Sequence, residues 1–218
     1  MSLVISCDLR PCFGAIRNQG SRPTCVAFAV SDAHSAARGA FAPLSVEHIY
    51  FHAVQRTPGG LPQDGVSMAK ILDALRIDGQ AAESGWPYLD AFPSDLSQWT
   101  PPATATPCFK RESITAGTAI NAIVTQLDLG IPPVVTFMMS IAFCEAAKGI
   151  VKPQTADADV DWHAVIAVGH ALNGGKRLLL VRNSWGETWG TGGYAWIDPD
   201  YLAPRLSSVA TMKSAGSV

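Results

Sequence analysis

Three positions carry the chemistry this chain can do: Cys25 in NQGSRPTCVAFA, His163 in DWHAVIAVGH and Asn183 in VRNSWGETWGTGGYAWI. A thiol becomes a nucleophile when a base takes its proton, and the base works best when a third group orients it. The attacked carbonyl also needs donors for its developing negative charge. Gln19, six residues before Cys25, has a side-chain amide for that task. The set describes a thiol that attacks a carbonyl and passes through a thioester.

Each residue alone has an ordinary structural account. A free cysteine is usually a buried packing residue. A histidine on an apolar strand is often satisfied by one backbone carbonyl, and an asparagine is common at a strand end. The combination argues otherwise. An asparagine oxygen accepting from one ring nitrogen leaves the other ring nitrogen facing the thiol, and it tolerates an imidazolium without adding a second negative charge. Trp185, two residues beyond Asn183, is placed to roof that bond against water, where a hydrogen bond is stronger.

The elements that must hold these groups divide the chain in two. CVAFAVSDAHSAARGAF reads as a helix with Thr24 as its cap, apolar residues along one side and Gly39 at its end. Cys25 then sits at a helix N-terminus, where the dipole favours a thiolate. LSVEHIYFHAVQR is a second helix, with Ser45 as cap and Glu47 in its first turn, and VSMAKILDALRIDG is a third that ends at Gly79. PPATATP marks a crossing into the second half. There TAGTAINAIVTQLDLG reads as a helix, and PPVVTFMMS, WHAVIAVGHAL, KRLLLVRNS and GGYAWI read as strands. The chain ends in a run of small residues.

Composition narrows the class. The 218 residues are 48% hydrophobic and 16% charged, with a formal net charge of −2. That supplies a core and argues against disorder, and it offers no electrostatic capture of nucleic acid or of an acidic membrane. No apolar stretch is long enough for a membrane span. The start, MSLVISCDLRPCF, does not read as a signal peptide. Five cysteines is an odd number. Cys7 and Cys12 are near enough to pair, but buried thiols in a reducing compartment are the preferred account. Cys7, Cys12, Cys108 and Cys144 are expected to be packing residues. His48 and His52 lie four apart without the glutamate of an HExxH motif, so neither metal nor cofactor is expected. His34 and His170 show no partner in the sequence.

The residues NQG-x-x-x-x-C, HAVIAVGH and NSWG-x-x-WG-x-x-GY resemble the papain-like (C1 family) cysteine peptidases, and the likeness runs through nearly the whole chain. CDLRPCFGAIRNQG is similar to the start of a mature bacterial member, without a pro-segment. The resemblance implies an α+β papain-like fold. A helical left domain (13–105) would carry the nucleophile. An antiparallel β-barrel-like right domain (1–12 and 106–218) would carry histidine and asparagine, with the active-site cleft between them. It implies Cys25 as nucleophile, His163 as base and acid, Asn183 as orienter, Gln19 as oxyanion donor and Trp185 as shield. It also implies substrate contacts at Gly65, Met68 and Trp162.

Two departures stand out. Arg22 occupies the place of a cysteine that in this family forms a disulfide, and Val26 that of an aromatic. The expected reaction begins with a Cys25 thiolate and a His163 imidazolium and hydrolyses a protein or peptide bond. The other readings are a deamidase or transferase using the same thioester, and a catalytically inactive papain-like binding scaffold. Such an enzyme endangers its own cell, so an inhibitory or immunity protein is expected as partner. The expected location is the cytoplasm, or export by a signal-independent route as a toxin or effector.

Overall fold

Helix α1 (Cys25–Ala37) opens a helical unit formed by Gln19–Ser113 with Met212–Val218. Helices α2 (Val46–Gln55) and α3 (Met68–Ile77) complete its scaffold, α2 packing on both α1 and α3. The computed structural model describes residues 3–39, 41–146 and 150–213. The small-residue C-terminus lies outside the described residues.

The pattern of α1 misleads when read as one apolar side. From Ala27 to Ser35 every residue is buried, so the helix is enclosed nearly all round. Its polar side chains therefore need partners. Ser31 donates to the Leu44 carbonyl (2.9 Å) and accepts from Gln80 Nε2 (2.8 Å), and Ser35 donates to the Ala42 carbonyl (3.0 Å). His34 Nδ1 meets Gln80 Oε1 at 3.1 Å. Gly39 follows the helix at φ +85° and Gly79 follows α3 at φ +80°, a left-handed conformation that costs glycine nothing.

The two caps differ. Ser45 accepts from the His48 amide at 3.0 Å, which satisfies one of the donors a helix start leaves over. Thr24 stands at the cap position of α1 without making that bond. Its hydroxyl is drawn instead to Tyr88 Oη, 2.9 Å away.

The second unit, Met1–Asn18 with Ile114–Thr211, is built on one sheet. Its strands are β1 (Val4–Asp8), β2 (Ser113–Ala116), β3 (Val134–Ser140), β4 (Ile150–Val151), β5 (Asp159–Asn173), β6 (Lys176–Arg182), β7 (Tyr194–Ile197) and β8 (Leu206–Met212). They run in the order β2-β8-β3-β5-β6-β7-β4, with β1 on β5. Among the described residues the sheet is open, and β4 lies parallel to β7. The domain expected to be barrel-like is thus built on an open sheet with a parallel pair, β4 with β7. The segment expected as one long helix from Thr115 divides: Ser113–Ala116 is strand, and only Ile120–Asp128 (α4) is helix. The short helices α5 (Ile141–Cys144) and α6 (Pro199–Leu202) follow β3 and β7.

Strand β5 is buried continuously from His163 to Ala171, while Asp159–Trp162 are exposed. A strand covered on both faces gives an apolar run with no alternation, as WHAVIAVGHAL shows. Phe137, Val165, Ala167, Leu179, Val181 and Val209 are among the residues of the core this sheet builds.

Candidate active site

In the β unit, His163 is the first buried residue of β5, paired across the sheet with Phe137 of β3. Asn183 follows directly on β6. Its amide is fixed by the Gly193 carbonyl at 3.0 Å. His163 Nε2 lies 2.8 Å from Asn183 Oδ1, which also accepts from the Ser184 amide at 2.8 Å. The backbone N–H can meet only an oxygen, so the orientation of the Asn183 amide is settled. An oxygen can only accept, so His163 Nε2 carries the hydrogen and Nδ1 is the basic nitrogen.

Aromatic rings enclose this pair. Trp185 lies over the imidazole with ring centroids 4.5 Å apart. Phe143 stands 5.5 Å away and Phe137 6.3 Å away, edge-on. Phe143 is itself packed on Trp189 (4.9 Å) and Trp185 (5.6 Å), and its carbonyl accepts from Trp189 Nε1 at 3.2 Å. The glycine-rich run after Asn183 makes this close packing possible. A Cβ on Gly190 would come within 2.3 Å of the Tyr194 carbonyl oxygen, at φ +59°. Burial pushes His163 down to about 4, with the Asn183 bond and then Asp161 pulling the other way. Burial thus favours the neutral form of the ring.

The helical unit holds the other two candidates. Cys25 is the first residue of α1, and no acidic side chain stands in that first turn. The helix dipole there favours a thiolate. Gln19 is buried, and its Nε2 donates to the Arg22 carbonyl at 2.9 Å. An amide nitrogen has two hydrogens, so fixing one sets the direction of the other. The Gln19 carbonyl accepts from Tyr88 Oη at 2.8 Å.

Of the expected substrate contacts, Gly65 and Met68 belong to the helical unit and Trp162 to the β unit. Gly65 has φ +77°, with Pro23 3.5 Å from the position of a Cβ. Met68 begins α3 and is buried. Trp162 is 56% exposed and sits opposite Met138.

None of the five cysteines is in a disulfide; Cys7 is half-buried and Cys12 exposed, which corrects the expectation of two buried thiols there, and Cys108, expected as a packing residue, is exposed. Partial burial pushes the thiols of Cys7, Cys108 and Cys144 upward. Cys108 Sγ lies 3.4 Å from His48 Nε2. Desolvation is the largest cause in both, holding His48 down to about 4 and pushing Cys108 up. His34 and His170, without visible partners in the sequence, have them in the fold: Gln80 for the first, Asp128 (2.7 Å) and Arg177 (2.8 Å) for the second. Phe137 and Phe143 escaped the sequence reading because apolar residues on β3 and α5 carry no signal of what they enclose.

The profile of the papain family cysteine proteases matches residues 5–213. Cathepsin K of Mus musculus is 30% identical over 122 residues, which are 55% of this chain and 36% of that protein. Pro-cathepsin H of Medicago truncatula is 28% identical over 159 residues, 72% of this chain and 42% of that protein. The chain thus aligns with about two fifths of the length of these relatives. The structure of xylellain, a cysteine protease from Xylella fastidiosa, superposes with a TM-score of 0.80 at 23% identity, covering 98% of this chain and 87% of that one. The fold is papain-like and α+β, with its sheet open. With a profile match over nearly its whole length, the chain belongs to the papain family of cysteine proteases.

Proposed function

We propose that this protein is a thiol peptidase that cleaves protein or peptide substrates through a thioester on Cys25. The observation that carries the reading is the His163–Asn183 bond at 2.8 Å. It puts the hydrogen on Nε2 and leaves Nδ1 as a base, under an aromatic roof that keeps water from competing. In the proposed reaction Nδ1 takes the Cys25 proton and the sulfur attacks the substrate carbonyl. The oxyanion is met by the Cys25 backbone N–H and Gln19 Nε2. The protonated His163 then gives its proton to the leaving amine, and water hydrolyses the thioester. Burial alone keeps the ring neutral; a thiolate beside Nδ1 is the anion that would raise its affinity for the proton. Gly65, Met68 and the exposed Trp162 are proposed as substrate contacts.

Alkylation of Cys25 by iodoacetamide against pH, read by mass spectrometry beside a His163→Ala variant, tests this. Brisk labelling below the ordinary thiol pKa of about 8.5, lost in the variant, is the expected result. Labelling confined to alkaline pH and unchanged in the variant would mean that His163 is not the partner of Cys25. Peptide products resolved by mass then separate hydrolysis from transfer and from glutamine deamidation.

Cysteines outside disulfides support a reducing location such as the cytoplasm, from which a toxin or effector would be exported. Control by an inhibitory or immunity protein belongs to the same proposal. Stoichiometric loss of activity on adding one protein purified from the source lysate is the expected sign, and no loss with any fraction would remove it.

A further inference from the structure

Arg22 and Glu47 form an ion pair in the interior of the helical unit, with side chains 4% and 0% exposed. Nη1 meets Oε2 at 2.7 Å and Nη2 meets Oε1 at 2.9 Å. Trp99 Nε1 donates to Oε1 at 2.5 Å and the Leu89 amide to Oε2 at 3.1 Å, which completes the carboxylate's acceptor sites. Arg22 Nη1 also donates to the Leu89 carbonyl at 2.6 Å. The guanidinium lies 3.8 Å from the Phe92 ring centroid and 4.7 Å from that of Tyr88. Arg22 Nε is buried without a partner.

As a source of stability such a pair is poor, because two well-packed apolar side chains do as well without the desolvation. What it does provide is direction. A bidentate fork fixes the Arg22 side chain in two dimensions, and the Arg22 backbone is the hub of the loop before Cys25. Its carbonyl accepts from Gln19 Nε2 (2.9 Å) and from the Thr24 amide (2.8 Å). Tyr88 Oη, under the guanidinium, ties the same two residues through the Gln19 carbonyl and the Thr24 hydroxyl. Glu47 stands 25 residues along the chain, on α2.

We propose that the Arg22–Glu47 pair is a positioning device for the reaction: a non-covalent strut that sets the 19–25 loop, and through it the Gln19 amide and the start of α1. The proposal rests on the peptidase reading above. Neither residue touches the reacting atoms. Each acts through the Arg22 carbonyl.

The test measures kcat, KM and melting temperature for wild type, Arg22→Lys, Glu47→Gln and Trp99→Phe on one peptide substrate. Ile71→Val, at a buried position of α3 outside the 19–25 segment, serves as a control that loosens the same unit's buried core. Arg22→Lys keeps the charge and loses the fork, and Trp99→Phe removes one bond to Glu47. Both keep the pair's charges balanced, so they report even where Glu47→Gln fails to fold. Displacement of the loop should lower kcat between about tenfold and about a hundredfold in Arg22→Lys. KM should move by about twofold or less, since uniform binding is not what is lost. Trp99→Phe should fall in the same direction by less, and Ile71→Val should keep its kcat. Wild-type kcat in Arg22→Lys and Trp99→Phe, or an equal fall in Ile71→Val, would reduce the pair to ordinary structure and overturn the proposal. A wild type that neither hydrolyses peptides nor labels at Cys25 overturns the peptidase reading, and the strut with it.

Discussion

In the helical unit the candidate groups hang from buried charge. Gln19 and the start of α1 are tied to one carbonyl, whose residue is held by a guanidinium–carboxylate fork. In the β unit they are held by packing. His163 is fixed by its place on β5, by one bond to Asn183 and by the rings of Trp185, Phe143 and Phe137. The difference follows from the scaffolds. A loop leading into a helix has no ladder to hold it, so its direction must come from directional bonds. Strand β5 already has its register fixed by pairing with β3, β6 and β1, and what its site lacks is only a dry enclosure. The two should therefore fail differently: the loop when hydrogen-bond geometry is disturbed, the strand site when volume is removed.

Phe143→Ala is the strongest test of the packed side. Phe143 is fully buried, and truncating such a ring costs about 3–5 kcal/mol of stability. Melting followed by near-ultraviolet circular dichroism should show that loss together with a fall in kcat, because the floor beneath His163 goes with the ring. Full stability with normal activity would mean the enclosure closes without it. Gln19→Ala should do the reverse in the loop. A lost oxyanion donor lowers kcat roughly a hundred- to a thousandfold, while the melting temperature moves little and KM less than kcat. An unchanged kcat would remove Gln19 from the reaction.

The sequence was informative where the cause is local. Ser45 caps α2 through a bond three residues away, and the apolar runs of β3, β5, β6 and β7 announce themselves by composition. The strings around Cys25, His163 and Asn183 were legible because unusual residue types recur there at close spacing. Illegible features are those made by pairs distant in the chain. Arg22 stands out in the sequence only as occupying a cysteine's place and Glu47 only as a helix-start acid, and only folding across 25 residues makes them a buried pair. Thr24 reads as a cap, but Tyr88, 64 residues on, takes its hydroxyl. Strand β8 carries Ser, Thr and Met among its apolar residues and becomes a strand by pairing with β3. His34 looked partnerless until the fold brought Gln80 to it.

Acid should separate the two units once more, by a smaller effect. His34 and His48, both in the helical unit, are held down to about 4, desolvation being the largest cause in each. Arg111 and Arg38 push His34 further down against its Gln80 bond. His52 does the same to His48 against Gly79 and Asp78. The β unit has His163 at the same level. A histidine with a folded pKa below its unfolded value of about 6.5 binds its proton more readily when unfolded. Its contribution to stability is therefore whole above pH 6.5 and is lost as pH falls toward 4. Between pH 7 and pH 5 that loss is about 2 kcal/mol for each group. With two such groups against one, the helical unit should be the first to open as pH falls. Hydrogen exchange at pH 7 and pH 5 reads this directly. Amides of α1 and α2 should lose more protection than those of β5 and β6, and His34→Leu should narrow that difference, since one of the groups held down in the helical unit is gone. Equal losses in both units would show that they open as one, and the contrast between them would then belong to the site alone.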